Sequence, residues 1–108
     1  MSLLNAETVV KYLFTDTGDK DYSTVSEDSM TAVEPALSYS TSASTGATSV
    51  SFEVRDSLSG VPDASVALAV RSKSGICFAA VLGRDGSKTE FQDRADENGC
   101  DAAGIPNK

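Results

Sequence analysis

Residues 48–56 read TSVSFEVRD, a stretch in which apolar and polar side chains alternate along the chain. Val50, Phe52 and Val54 fall on one side of an extended backbone, and the polar residues between them fall on the other. Such alternation is typical of an antiparallel strand with one face in a core and one face in water. The stretch therefore predicts a sheet that is covered on one face and wet on the other.

Strand signals continue on both sides of this stretch. The segments ASVALAVRS (64–72), ICFAAVL (76–82) and KTEFQ (88–92) are short, apolar or alternating, and separated by turns that contain Gly or Pro. Upstream, LSYSTS (37–42) alternates weakly, and we interpret the Ser- and Thr-rich residues 38–51 as an exposed hairpin rather than a glycosylated or linker segment. The sequence thus predicts a four- to five-stranded antiparallel sheet.

An amphipathic helix is predicted before the sheet, in LLNAETVVKYLF (3–14), and it ends at the Gly- and Asp-containing residues 15–21. Glu7 and Lys11 are four residues apart in the order that favours an exposed helix pair. Apolar residues recur at steps of three and four, at Leu3, Ala6, Val9, Val10 and Leu13. Helix and sheet are each apolar on one side, so we expect an α+β fold in which the helix packs on the sheet. The expected contacts are those of Ala6, Val9 and Leu13 with Phe52, Val54, Val66 and Leu68.

A second, shorter helix of at most two turns is predicted in SEDSMTAVEPAL (26–37). Ser26 or Asp28 can cap its first turn, and Pro35 disfavours its continuation beyond Glu34. We expect Met30, Val33 and Leu37 to face the core.

The length and composition indicate one small domain. The chain has 108 residues, of which 40% are hydrophobic, and we treat 1–108 as a single domain with a loop or tail at 94–108. The net charge of −7 and the scattered lysines and arginines predict no nucleic-acid partner. No apolar stretch approaches the roughly 20 residues that span a bilayer. The start MSLLNAE lacks the features of a signal peptide, and residues 1–3 are compatible with a start that replaces native sequence.

Signals for catalysis are poor. The chain has no His, so neither a Ser nor a Cys nucleophile has an imidazole base. No glycine-rich phosphate loop is present, and no acidic pair lies in the apolar context that would raise a carboxyl pKa. We therefore expect no enzyme and no cofactor, and we retain a small enzyme only as the least favoured alternative.

Two acidic clusters are weak candidates for calcium. DTGDKD (16–21) offers Asp16, Asp19 and Asp21. DRADENGCD (93–101) offers Asp93, Asp96, Glu97 and Asp101. Oxygen ligands suit this hard cation, but neither cluster has the spacing of an EF-hand. A solvated acidic loop is the favoured interpretation of each.

The two cysteines, Cys77 in an apolar strand and Cys100 in a polar segment, have three possible explanations. They are two free thiols, part of a metal site, or a disulfide. A metal site lacks further Cys or His ligands, and a free thiol in a polar loop would be a liability. We favour a Cys77–Cys100 disulfide, which would pin the C-terminal loop, stabilise the domain by roughly 3 kcal/mol, and indicate an oxidising compartment.

The order of these segments resembles the globular head of type IV pilins and the related pseudopilins, over residues 6–103. AETVVKYLFTDTGDKDYSTV is similar to the amphipathic second half of the pilin helix and the loop after it. MTAVEPALSY is similar to a segment that occurs in some Gram-positive and actinobacterial members. SKSGICFAAVLGRDGSKTEF resembles the pilin strand with Ser-Gly-x-Cys and an aromatic residue, here Ser74, Gly75, Cys77 and Phe78, and Cys100 matches the second cysteine.

This resemblance implies a pilin-like fold and a non-catalytic subunit of an extracellular type IV pilus or pseudopilus. Such filaments serve adhesion, motility, secretion or DNA uptake. Pilin partners would bind through a hydrophobic helix half before Ala6, which would also anchor the subunit in the inner membrane before assembly. The head alone is expected to be monomeric. Some pseudopilins bind calcium in a loop of the head, which adds a little weight to the second acidic cluster. The alternative is a secreted, non-enzymatic adhesion or ligand-binding module.

Overall fold

The computed structural model describes residues 2–16, 22, 24–42, 44–46, 48–55, 64–72, 76–83, 88–92, 100 and 102. It contains helix α1 (Ser2–Asp16), helix α2 (Glu27–Val33) and one five-stranded sheet. The strands are β1 (Ser38–Ser40), β2 (Ser49–Arg55), β3 (Ser65–Arg71), β4 (Cys77–Gly83) and β5 (Lys88–Gln92). The α+β class and the N-terminal helix are confirmed.

The sheet is mixed, so the prediction of an antiparallel sheet is wrong at one edge. Strands β2 to β5 form an antiparallel meander in chain order, but β1 runs parallel to β2, with Tyr39 opposite Val50. The exposed hairpin expected at 38–51 is therefore not formed. Ser44, between the two strands, is buried, and its backbone N–H donates to the carbonyl of Cys100 at 2.8 Å. This bond attaches the connection between β1 and β2 to the segment around Cys100.

Helix α1 covers one face of the sheet through its apolar stripe, as the helical period predicts. The stripe of Leu3, Ala6, Val9, Val10 and Leu13 is buried in one cluster with Phe52, Val66, Leu68, Val70 and Leu82, and Val54 packs against that cluster. The helix contacts strands β2, β3 and β4. The expected packing of helix on sheet is confirmed.

Helix α2 begins with a capping box. The Ser26 hydroxyl accepts from the Ser29 backbone N–H at 3.2 Å, and the Ser29 hydroxyl accepts from the Ser26 backbone N–H at 3.0 Å. Met30 and Leu37 are buried as predicted. Val33 is 39% exposed, so its predicted core position is wrong. The helix ends at this residue, and the turn after it brings Leu37 into the core instead.

The second face of the sheet is covered in part, whereas the alternating pattern predicted a wet face. Ser51 is fully buried. A second apolar cluster lies on this side and comprises Ala67, Ala69, Cys77, Ala79, Val81, Cys100 and Ala102. Because the strand side chains here are small, a short piece of C-terminal chain can lie close against the sheet.

Candidate functional site

Three features of the described chain combine buried polar groups with surface access. They are the C-terminal segment on the second sheet face, an ion-pair cluster between α1 and β5, and a cleft beside that cluster.

The C-terminal segment is attached to the sheet covalently. Cys77 begins β4, and the structure joins it to Cys100 in a disulfide with a Cα–Cα distance of 5.4 Å. Both cysteines are fully buried. The two cysteines singled out in the sequence therefore lie at bonding distance, and Cys100 is held against the sheet rather than in a loose tail.

Hydrogen bonds also hold the same segment next to the disulfide. The Ala102 backbone N–H donates to the Ser51 hydroxyl at 2.8 Å, and the Arg55 guanidinium donates to the Ala102 carbonyl at 2.7 Å. Ser44 donates its backbone N–H to the Cys100 carbonyl, and its hydroxyl accepts from the Arg71 backbone N–H of β3 at 2.9 Å. Buried polar groups of this kind need partners, and the segment supplies several of them. No pattern in the sequence distinguishes Ser44 and Ser51 from the chain's exposed serines.

The ion-pair cluster links α1 to the edge strand β5. Glu7 is only 4% exposed, and its carboxylate lies 3.1 Å from the ammonium of Lys88. The same ammonium lies 2.8 Å from the carboxylate of Glu90. Hydrogen bonds to Glu90 and then to Glu7 raise the pKa of Lys88 above its usual range. The predicted exposed pair of Glu7 with Lys11 is therefore wrong, because Glu7 turns toward the sheet edge.

The sequence held a faint signal for the burial of Glu7. The residue lies four positions after Leu3 and three before Val10, so it borders the apolar stripe of α1. Its partner lies 81 residues along the chain, beyond the reach of any local pattern.

A cleft of about 280 Å³ lies between the last turns of α1 and the adjoining ends of β4 and β5. Its lining residues are Lys11, Phe14, Thr15, Tyr22, Leu82, Gly83 and Lys88. The rings of Phe14 and Tyr22 stack with their centroids 4.7 Å apart, and the Tyr22 hydroxyl donates to the Gly83 carbonyl at 3.2 Å. One side of the cleft is thus aromatic, and two lysines reach its lining.

A second groove of about 220 Å³ separates the outer sides of α1 and α2. Tyr12 and Val33, both exposed, contribute to its lining together with Asn5, Thr8, Val9 and Glu34. It is shallower and contains one formal charge, that of Glu34.

The calcium candidates Asp93, Asp96, Glu97 and Asp101 lie outside the described residues, as do Asp19 and Asp21. Asp16 is described only as the last backbone position of α1. Within the ranges that the structure does describe, no group of three or more acidic or cysteine side chains is placed to hold a metal ion.

No helix among the described residues combines the length and the apolar character needed to span a bilayer.

Comparisons with protein-family models, with curated proteins and with solved structures return no match to this chain.

Proposed function

We propose that this chain is the extracellular globular head of a non-catalytic, type IV pilin-like filament subunit. The observation that carries the proposal is the layout of the core. A single N-terminal amphipathic helix lies on a sheet, and a disulfide ties Cys100 to the inner strand β4. The resemblance in sequence at Ser74, Gly75, Cys77 and Cys100 adds support.

Two departures from the expected pattern belong to the proposal. The sheet is mixed, and its second face is partly covered by the segment around Cys100. Neither departure changes the face of α1 that packs on the sheet. A hydrophobic helix half upstream of Ser2 would therefore continue along the axis of α1.

A fractionation experiment tests this function. The native gene, with an epitope tag, is expressed in its own host, and surface structures are sheared from the cells and centrifuged at high speed. A filament subunit is expected in the sheared pellet and absent from cells that lack the gene. Tagged protein that stays entirely in the unsedimented culture medium would contradict the filament role.

A secreted ligand-binding module is the second candidate, and the cleft beside α1 is the observation that favours it. The same fractionation separates the two functions, because such a module remains in the medium after centrifugation. Both functions place the domain outside the cytoplasm, as the disulfide between Cys77 and Cys100 suggests.

A further inference from the structure

The cleft between α1 and the β4–β5 edge is large enough for a small molecule that carries a single ring system. Its volume of about 280 Å³ lies just below the range of roughly 300–1,000 Å³ that is typical of pockets for drug-sized ligands. Phe14 is partly exposed and contributes apolar surface, Leu82 forms the buried floor, and the hydroxyl of Tyr22 is bonded to the backbone of β4. The aromatic wall is therefore in place before any ligand arrives, which lowers the entropy cost of binding.

The charged side chains at the cleft determine which sign of charge a suitable ligand should have. Lys11 is exposed and forms no ion pair with any other residue in the described ranges. Lys88 is held by the buried Glu7 on one side and by Glu90 on the other. The side chain of Glu90 is 61% exposed, and exposed ion pairs are weak. An incoming carboxylate can therefore replace Glu90 on Lys88 while Glu7 keeps its partner.

We propose that this cleft binds a small organic anion that carries one aromatic ring and one carboxylate. The ring lies against Phe14, which is itself stacked on Tyr22, and its burial there is favourable. The carboxylate lies between the ammonium groups of Lys11 and Lys88. This site does not depend on filament assembly, and it would be present in the isolated domain.

Titration of the isotope-labelled, disulfide-intact protein with indole-3-acetate tests the proposal by NMR. The amide signals of Thr15, Tyr22 and Gly83 are expected to shift and saturate together. Tryptamine replaces the carboxylate with an ammonium, and indole lacks both groups. Each should bind more weakly than indole-3-acetate. Equal binding of all three compounds would overturn the recognition of the carboxylate.

Two threonines of α1 provide matched variants for the location of the site. Thr15 lines the cleft and Thr8 does not, and each is exposed with its hydroxyl bonded to the carbonyl four residues earlier. Thr15→Trp fills the cleft and should abolish saturation at the concentrations that saturate the wild type. Thr8→Trp should bind normally. If both variants bind like the wild type while their spectra show an intact fold, the ligand does not occupy this cleft.

The charged rim is tested by two further substitutions with opposite expected effects. Lys11→Gln should weaken indole-3-acetate binding about two- to fivefold, as for an exposed ion pair. Glu90→Gln frees Lys88 for the ligand and should strengthen binding by a similar factor. Affinities that do not move in either variant would overturn the assignment of the carboxylate to these lysines.

Discussion

Glu7 has a structural role that its charge alone does not suggest. It is 4% exposed on α1, and its carboxylate reaches Lys88 at the sheet edge. Removing a buried hydrogen-bonded group typically costs about 1–3 kcal/mol, and we expect Glu7→Ala to fall in this range. Glu90→Ala removes the exposed carboxylate from the same lysine and should cost less than about 0.5 kcal/mol. Urea unfolding measures the loss of free energy of unfolding in each variant. Equal losses would mean that Glu7 is not held between α1 and β5.

Tyr39 makes the domain sensitive to alkali. Burial, and then the negative charge of Glu34, raise the pKa of Tyr39 above its ordinary value of 10.0. The folded state therefore keeps the phenol protonated at a pH where the unfolded chain ionises. The resulting stability is present below the ordinary pKa and is lost as the pH rises through the folded pKa. Lys88, whose pKa is also raised, acts in the same direction from its own ordinary value of 10.5.

We expect the free energy of unfolding of the wild type to fall over a window that begins near the ordinary tyrosine pKa of 10.0 and extends upward, since both groups deprotonate more readily in the unfolded chain. Tyr39→Phe should show a smaller fall over that window, although it also loses the hydrogen bond to the Glu34 carbonyl. Tyr12→Phe, at a tyrosine that is 60% exposed, is the matched control and should keep the full fall. Denaturant unfolding at several pH values measures this free energy for the wild type and both variants. An identical dependence on pH in all three proteins would show that Tyr39 does not cause the fall.

At the scale of elements, the attachment of α1 depends on its apolar stripe. Leu13 is buried against the sheet, whereas Leu4 on the opposite side is 57% exposed. Leu13→Ala should therefore cost roughly 2–5 kcal/mol, as for other core truncations. Leu4→Ala makes the same chemical change at the surface and should stay within about 0.5 kcal/mol. Thermal or urea unfolding compares the two, and a mild effect of Leu13→Ala would show that α1 is not packed on the sheet in solution.

The long elements could be predicted from sequence because each has one periodicity over several residues. Helix α1 and strands β2 and β3 follow the 3.6- or two-residue repeat, and their buried faces contain the expected side chains. Strand β1 has only three residues, so its pairing direction leaves no periodic trace. The connection that follows β1 contains Ser44, which bonds to Cys100, a residue distant in sequence.

The candidate site could be predicted from the sequence only in part, because its residues are distant from one another along the chain. The cysteine pair could be proposed because the chain offers a single pairing. The cleft, by contrast, combines residues of α1, β4 and β5 with Tyr22. Only the packing angle of α1 on the sheet brings these groups together, and no local pattern encodes that angle.

At the scale of the whole molecule, the disulfide supports the packing of the second sheet face. Protein that has never met a reductant should take up no alkylating reagent, as intact mass spectrometry will show. Reduction should then lower the free energy of unfolding by about 3 kcal/mol, since the bond constrains a long loop of the unfolded chain. Modification of both thiols in untreated protein would contradict the pairing and weaken the extracellular assignment.

The same bond gives the domain an unusual mechanical behaviour. The Cys77–Cys100 link closes a covalent ring that contains β4 and β5, and its two ends are separated by 23 positions in sequence. A pulling force applied to the two chain termini would pass from Cys77 directly to Cys100, and the backbone of β5 and of β4 beyond Cys77 would carry no load. At about 3.5 Å per extended residue, the unravelled oxidised chain should be roughly 80 Å shorter than the reduced one. The disulfide would thus limit how far each domain can lengthen under tension.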